Sequence, residues 1–168
     1  MTIENPQQSN NSNEFTKELE EIASARPEIK EYNSGSQVEV TIRLPHNNYI
    51  KAAINNERAN IEYFLVQPEL RKKGIGDRLL KCLIINLIKR GVKILAGSLE
   101  SEESLRKRLK IFGKDNVNLH PDFAIYGNKA ADSYRSVEQA IENLRKGEYV
   151  ECDSDLMKID TSNWDMVD

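Results

Sequence analysis

Along this chain the spacing of hydrophobic positions changes period several times, and each change marks an element. Residues 1–13 are rich in Asn, Gln and Ser. Such a stretch buries too little surface to offset its ordering entropy and is expected to be a disordered tail. In residues 14–26, Phe15, Leu19, Ile22 and Ala23 recur at helical spacing. Pro27 ends that segment, and the cluster Asn33-Ser34-Gly35-Ser36 reads as a loop. The period then becomes two: Val38, Val40, Ile42 and Leu44 alternate with Glu39, Thr41 and Arg43, the mark of a half-buried strand. Residues 49–54 fit an antiparallel partner. Residues 61–66 form a nearly continuous apolar and aromatic run, expected of a central strand covered on both faces. Residues 37–66 therefore read as a three-strand meander.

From residue 76 to 90 the spacing is helical again. Leu80, Leu83, Ile84, Leu87 and Ile88 form the apolar stripe, Asp77, Arg78, Lys81 and Lys89 are expected to face water, and Gly91 suits a C-terminal cap. A strand over 92–99 completes a strand–helix–strand unit, so it should run parallel to 61–66. Residues 102–112 predict a second helix ended by Gly113. Residues 123–126 and 149–152 read as short strands. Between them lies a helix over 136–146, with Ser136 and Gln139 placed for a capping box. The fold class is mixed α/β, with a tail over 1–13, a domain over 14–127 whose core is 37–113, and a C-terminal helix and acidic tail over 128–168.

Composition narrows the function classes. The net charge of −3 gives no strong attraction to nucleic acid, and no apolar run reaches membrane-spanning length. The N-terminus lacks the apolar core of a signal peptide, and two distant cysteines, Cys82 and Cys152, make no disulfide framework. A cytoplasmic location is the expectation.

Chemistry concentrates in the segment 66–77, between a strand and a strong helix. The first amides of a helix have no internal partner and carry partial positive charge, which suits a phosphate. Gly74 and Gly76 let an anion approach the backbone, and Arg71, Lys72 and Lys73 add full charges. Spacing selects the ligand: a dinucleotide fingerprint requires a third glycine where Leu79 stands, and the Gly-Lys-Ser/Thr ending of a P-loop is missing.

The pattern Arg71-x-x-Gly74-x-Gly76, following a strand and Pro68-Glu69, resembles the acyl-CoA signature of the GNAT N-acetyltransferases. The resemblance spans residues 37–113. It implies a mixed sheet flanked by helices in which strands 61–66 and 92–99 splay apart and receive the pantetheine arm of acetyl-CoA. Backbone groups of Leu65 and Val66 would bond the arm, and Lys72, Lys73, Gly74, Ile75, Gly76 and Asp77, with Arg71, would hold the pyrophosphate. The reaction implied is acetyl transfer to a primary amine by direct attack, the acceptor being a small molecule, a lysine or a protein N-terminus. A homodimer is compatible with it; nucleic-acid and membrane partners are not expected. The alternative is a non-catalytic module of the same fold that binds CoA or a protein partner.

In that family an Asn opens the helix after the second parallel strand, and a Tyr near its end protonates the departing thiolate. The corresponding positions here are Glu102 and Leu109, so the usual acid is missing. Glu62 is the candidate base, on the face that strict alternation assigns to Phe64 and Val66, with Glu100 a weaker one and Tyr126 a candidate substitute acid. His46 and His120 read as isolated turn and loop histidines, Cys82 as packed, and Cys152 as an unlikely nucleophile among acids. Arg106, Lys107, Arg108 and Lys110 read as a solvated basic face, and Trp164 as an anchor for the acidic tail.

Overall fold

The alternating segments pair as their pattern requires. The computed structural model describes residues 6–121 and 133–164. Its strands are β1 (Glu28–Ser34), β2 (Gln37–Leu44), β3 (Asn48–Asn55), β4 (Arg58–Leu65), β5 (Ile94–Leu99), β6 (Val117–Pro121) and β7 (Val150–Asp155). They form one mixed sheet in the order β1-β2-β3-β4-β5-β7-β6. Its helices are α1 (Pro6–Ser24), α2 (Ile75–Lys89), α3 (Glu102–Phe112) and α4 (Val137–Arg145).

β1 to β4 form an antiparallel meander, one strand longer than expected. The added strand takes in Asn33 and Ser34, so only Gly35 and Ser36 make the turn; Gly35 supplies its positive φ of 63°. Cross-strand pairing puts Ile42, Ile50, Val40, Ala52 and Ile61 on one face. Against that face pack Leu79, Leu80, Leu83, Ile84 and Leu87 of α2 and Ile22 of α1. Each such side chain contributes about 1.5–3 kcal/mol on burial. A second cluster joins Leu105 of α3 and Ala140, Ile141 and Leu144 of α4 to Leu99, Leu119, Val150 and Cys152. The register Ala59↔Leu95, Leu99↔Val150 and Leu119↔Cys152 assigns these strand residues to the same face. Among the described residues, then, all four helices cover one face of the sheet. The other presents Glu39, Lys51, Tyr63, Ser98 and Asp153.

Three expectations are corrected. α1 begins at Pro6, so residues 6–13 are helical rather than disordered. Proline suits the first helical turn, and the stripe that starts at Phe15 supports the helix from its far end. The second half of β4 is not covered on both faces: Tyr63, on the face that none of the described helices covers, is 59% exposed, and Phe64, beside the edge that β5 leaves, is 42% exposed. Arg78 does not face water. It donates to the carbonyls of Ile22 (2.6 Å) and Ala25 (2.5 Å), closing the C-terminal end of α1.

Residues 123–126 lie outside the described residues, and β6 and β7 supply the last two strands. Ser136 accepts from the Gln139 amide (3.3 Å), while Gln139 reaches back to the Arg135 amide (3.0 Å), one residue beyond a capping box. Trp164 packs on the main core with Lys81 5.5 Å from its ring. Among the described residues, no helix is long and apolar enough to cross a membrane.

Candidate active site

The site is built where β4 and β5 part. They pair in parallel at Arg58↔Ile94, Ala59↔Leu95 and Asn60↔Ala96, and no further. From Ile61 onward β4 keeps β3 on one side and has an open edge on the other. At its far end the chain leaves through Leu65 and Val66 into a 3-10 turn, Pro68–Leu70. Leu70 anchors this turn at 1% exposure. Asn48, wholly buried, clamps the turn by accepting from the Gln67 amide (2.8 Å) and donating to the Pro45 carbonyl (2.8 Å). A lone polar residue before a strand gives no sequence signal of this role.

The loop then delivers α2 end-on to the fork. Gly74 caps the helix at φ 83°, and no side chain caps the amides of the first turn. Lys72 also adopts a positive φ, 65°, a conformation costly for a side chain and held by the residues around it. The Arg71 Nε donates to the Val66 carbonyl (3.3 Å), which lays its guanidinium along the loop. A Cβ on Gly76 would stand 3.6 Å from Phe64 and from Val66, so the glycine seats the helix start directly on the open edge of β4. Amides without a cap, three cations and a glycine floor fit a pyrophosphate. The exposed apolar edge of β4 fits the arm of such a ligand.

Comparisons with known proteins bear on the fold that carries this loop. Residues 41–111 match the model of the acetyltransferase (GNAT) family. The matched segment runs from β2 through β3, β4, α2 and β5 into α3. Among solved structures, a Bacillus subtilis acetyltransferase in complex with CoA shares the fold at TM-score 0.50 and 14% identity, over 77% of this chain and 97% of that one. The ribosomal-protein-S18-alanine N-acetyltransferase of Escherichia coli aligns at TM-score 0.46 and 13% identity, over 80% and 77%. Nourseothricin acetyltransferase aligns at 0.45 and 15%, over 73% and 66%. No curated protein matches the chain.

Within the matched segment, the candidate base occupies a different face from the one expected. β3 and β4 slip register between Lys51 and Ala52: Lys51 pairs with Tyr63 and Ala52 with Ile61, leaving Glu62 as the extra residue of a bulge. The bulge breaks the alternation, so Glu62 does not share the face of Phe64. Its carboxylate lies 3.5 Å from the Lys51 ammonium, on the face that none of the described helices covers. Lys51 also pairs with Glu39 at 3.3 Å and sits 5.7 Å from the Tyr63 ring. The hydrogen bond that Lys51 donates to Glu39, opposed by desolvation and assisted by both carboxylates, raises the Lys51 pKa above its ordinary value.

Other candidates fall in different places. Tyr126 lies outside the described residues. Glu100 follows β5 and is exposed. His46 meets Glu21 at 3.0 Å and links a turn to α1. His120 is no loop residue: it is buried on β6, 3.5 Å from Asp153, which also pairs with Arg58 (2.9 Å). Leu109 packs at the edge of the second core cluster. Arg108 leaves the basic face altogether. It is 5% exposed while Arg106, Lys107 and Lys110 stay at the surface, because its position shares the buried side of α3 with Leu105 and Phe112.

Proposed function

We propose that this protein transfers an acetyl group from acetyl-CoA to a primary amine. The observation that carries this reading is the fork between β4 and β5, opening beside a helix start that no side chain caps. Bound there, acetyl-CoA supplies an acyl group activated as a thioester. The chain's own groups divide the remaining work. The amides of Ile75, Gly76 and Asp77, with Arg71, Lys72 and Lys73, hold the pyrophosphate. Backbone groups of Leu65 and Val66 fix the arm, and Glu62, oriented by Lys51, accepts the proton that the attacking amine must lose.

Among the described residues no helix packs on the face of Glu62, which leaves room there for an incoming amine. A second reading, a GNAT domain that binds CoA without transfer, is favoured by Leu109, which supplies no acid where relatives use tyrosine.

Calorimetry and thiol-release assays on two variants separate these readings. Gly76→Glu introduces a carboxylate at the pyrophosphate, and CoA affinity should be lost with the melting temperature little changed. Glu62→Gln should leave CoA affinity intact and lower turnover by about two to four orders of magnitude, the range for a positioned base. Unaltered CoA binding in folded Gly76→Glu refutes the site. Tight CoA binding by wild type with no thiol release from any amine, peptide or polyamine favours the second reading.

A further inference from the structure

Among the described residues, Arg108 carries a charge with no counterpart. Its Nη1 is buried and has no hydrogen-bond partner among them. No carboxylate among them pairs with it; its guanidinium lies 5.9 Å from the Phe112 ring and beside the Cys152 thiol. A guanidinium removed from water without an anion is costly, so a folded chain keeps one where an anion arrives from outside.

Its place in the fold says which anion. The Arg108 Nη2 lies 3.8 Å from where a Cβ on Gly97 would stand, and the Ile61 side chain flanks the same point at 3.5 Å. Gly97 and Ile61 are the first residues beyond Asn60↔Ala96, the last pair joining β4 to β5. Arg108 therefore stands at the apex of the fork, on the face covered by helices. α2, whose start forms the phosphate loop, packs on that same face. Glu62 is held on the opposite face by Lys51. In acyl transfer the nucleophile approaches the carbonyl carbon and the leaving group departs from it in different directions, and here the two faces carry a carboxylate and a buried cation respectively.

We propose that Arg108 is a catalytic residue that receives the negative charge on the sulfur of CoA as the thioester breaks. This rests on the acyl-CoA reading of the site. The amine nitrogen forms a bond to the carbonyl carbon, the carbon–sulfur bond breaks, and its electron pair leaves on sulfur as thiolate. The proton lost by the amine goes to Glu62 or water. Arg108 keeps its own protons and holds the thiolate through its N–H donors until solvent protonates it, so no tyrosine acid is required.

The test titrates the thiol of bound CoA by its ultraviolet thiolate absorbance, with the complex of desulfo-CoA subtracted to remove the protein's own cysteines. In wild type the bound thiol should ionise about 1 to 3 pH units below that of free CoA, the effect of an adjacent opposite charge. In Arg108→Met it should return to the free value while desulfo-CoA affinity stays unchanged; Arg108→Lys should lie between, and serves if the methionine variant does not fold. Identical titrations in wild type and a folded variant overturn the proposal. So does a preference of wild type for succinyl-CoA over acetyl-CoA that Arg108→Met abolishes without moving the thiol, since the anion is then an acyl carboxylate. Failure of wild type to bind CoA overturns the acyl-CoA reading itself.

Discussion

Cys152 faces Gly97 across the β5–β7 ladder and is wholly buried, close to Arg108. Burial raises its thiol pKa above the ordinary value, outweighing the lowering effects of Arg108 and the Ser154 hydroxyl. Cys82 on α2 is raised by burial in the same way, against Arg78. A thiol whose folded pKa is raised contributes stability that is complete below the unfolded pKa and is lost as pH climbs towards the folded one. The melting temperature should therefore fall between about pH 8 and pH 10, the range around an ordinary thiol pKa. The fall should be shallower in Cys152→Ala and Cys82→Ala, and neither native thiol should react with a disulfide reagent at neutral pH. Equal alkaline slopes in wild type and variants would show that the thiols do not set this dependence. Residue-scale roles were the least legible part of the sequence. Helical spacing marks Arg78 and Arg108 as polar positions beside an apolar stripe, and it cannot tell which of them turns inward to a carbonyl or a fork.

At the scale of elements, the helices were legible because each carries its own stripe and stop signals: Leu83, Ile84 and Leu87 before Gly91, and Leu105 and Phe112 before Gly113. How they join was not. α1 docks through Ile22 and through two charged hydrogen bonds from Arg78 to its last carbonyls. Hydrogen bonds to a charged group contribute about 1.5–3 kcal/mol each, and this guanidinium is only partly buried. Arg78→Ala should cost about 1.5–3 kcal/mol in total, and trypsin should then cut within α1 at Lys17 well before it cuts the sheet. Arg78→Lys, unable to reach both carbonyls, should recover only part of the loss. A melting temperature unchanged in Arg78→Ala would mean that the apolar face of α1 suffices to hold it.

For the molecule as a whole, the meander β2–β4 was legible because one face is buried: Val40 and Ile42, and then Ile50, Ala52 and Ile54, recur every second residue. β1 was not, since all seven of its residues are exposed and leave no apolar face to read. The parallel relation of β4 to β5 followed from the intervening helix. The bulge at Glu62 could not be read, because one extra residue in a ladder alters neither composition nor hydropathy. Among the described residues, the sheet that results has helices on one face, an open edge along the second half of β4, and the loop bearing Arg71, Lys72, Lys73 and Gly74 at the end of that edge. Hydrogen exchange tests this arrangement directly. Amides of residues 61–77 should become protected on adding CoA, because the ligand covers the open edge and the start of α2 together. β1, at the far edge of the sheet, should exchange at an unchanged rate. An affinity-weighted protection of tenfold corresponds to about 1.4 kcal/mol of local stabilisation, within reach of the method. Protection spread evenly over β1 to β7 would show global stabilisation without a located ligand, and protection confined to the basic surface of Arg106, Lys107 and Lys110 would move the binding site from the fork to α3.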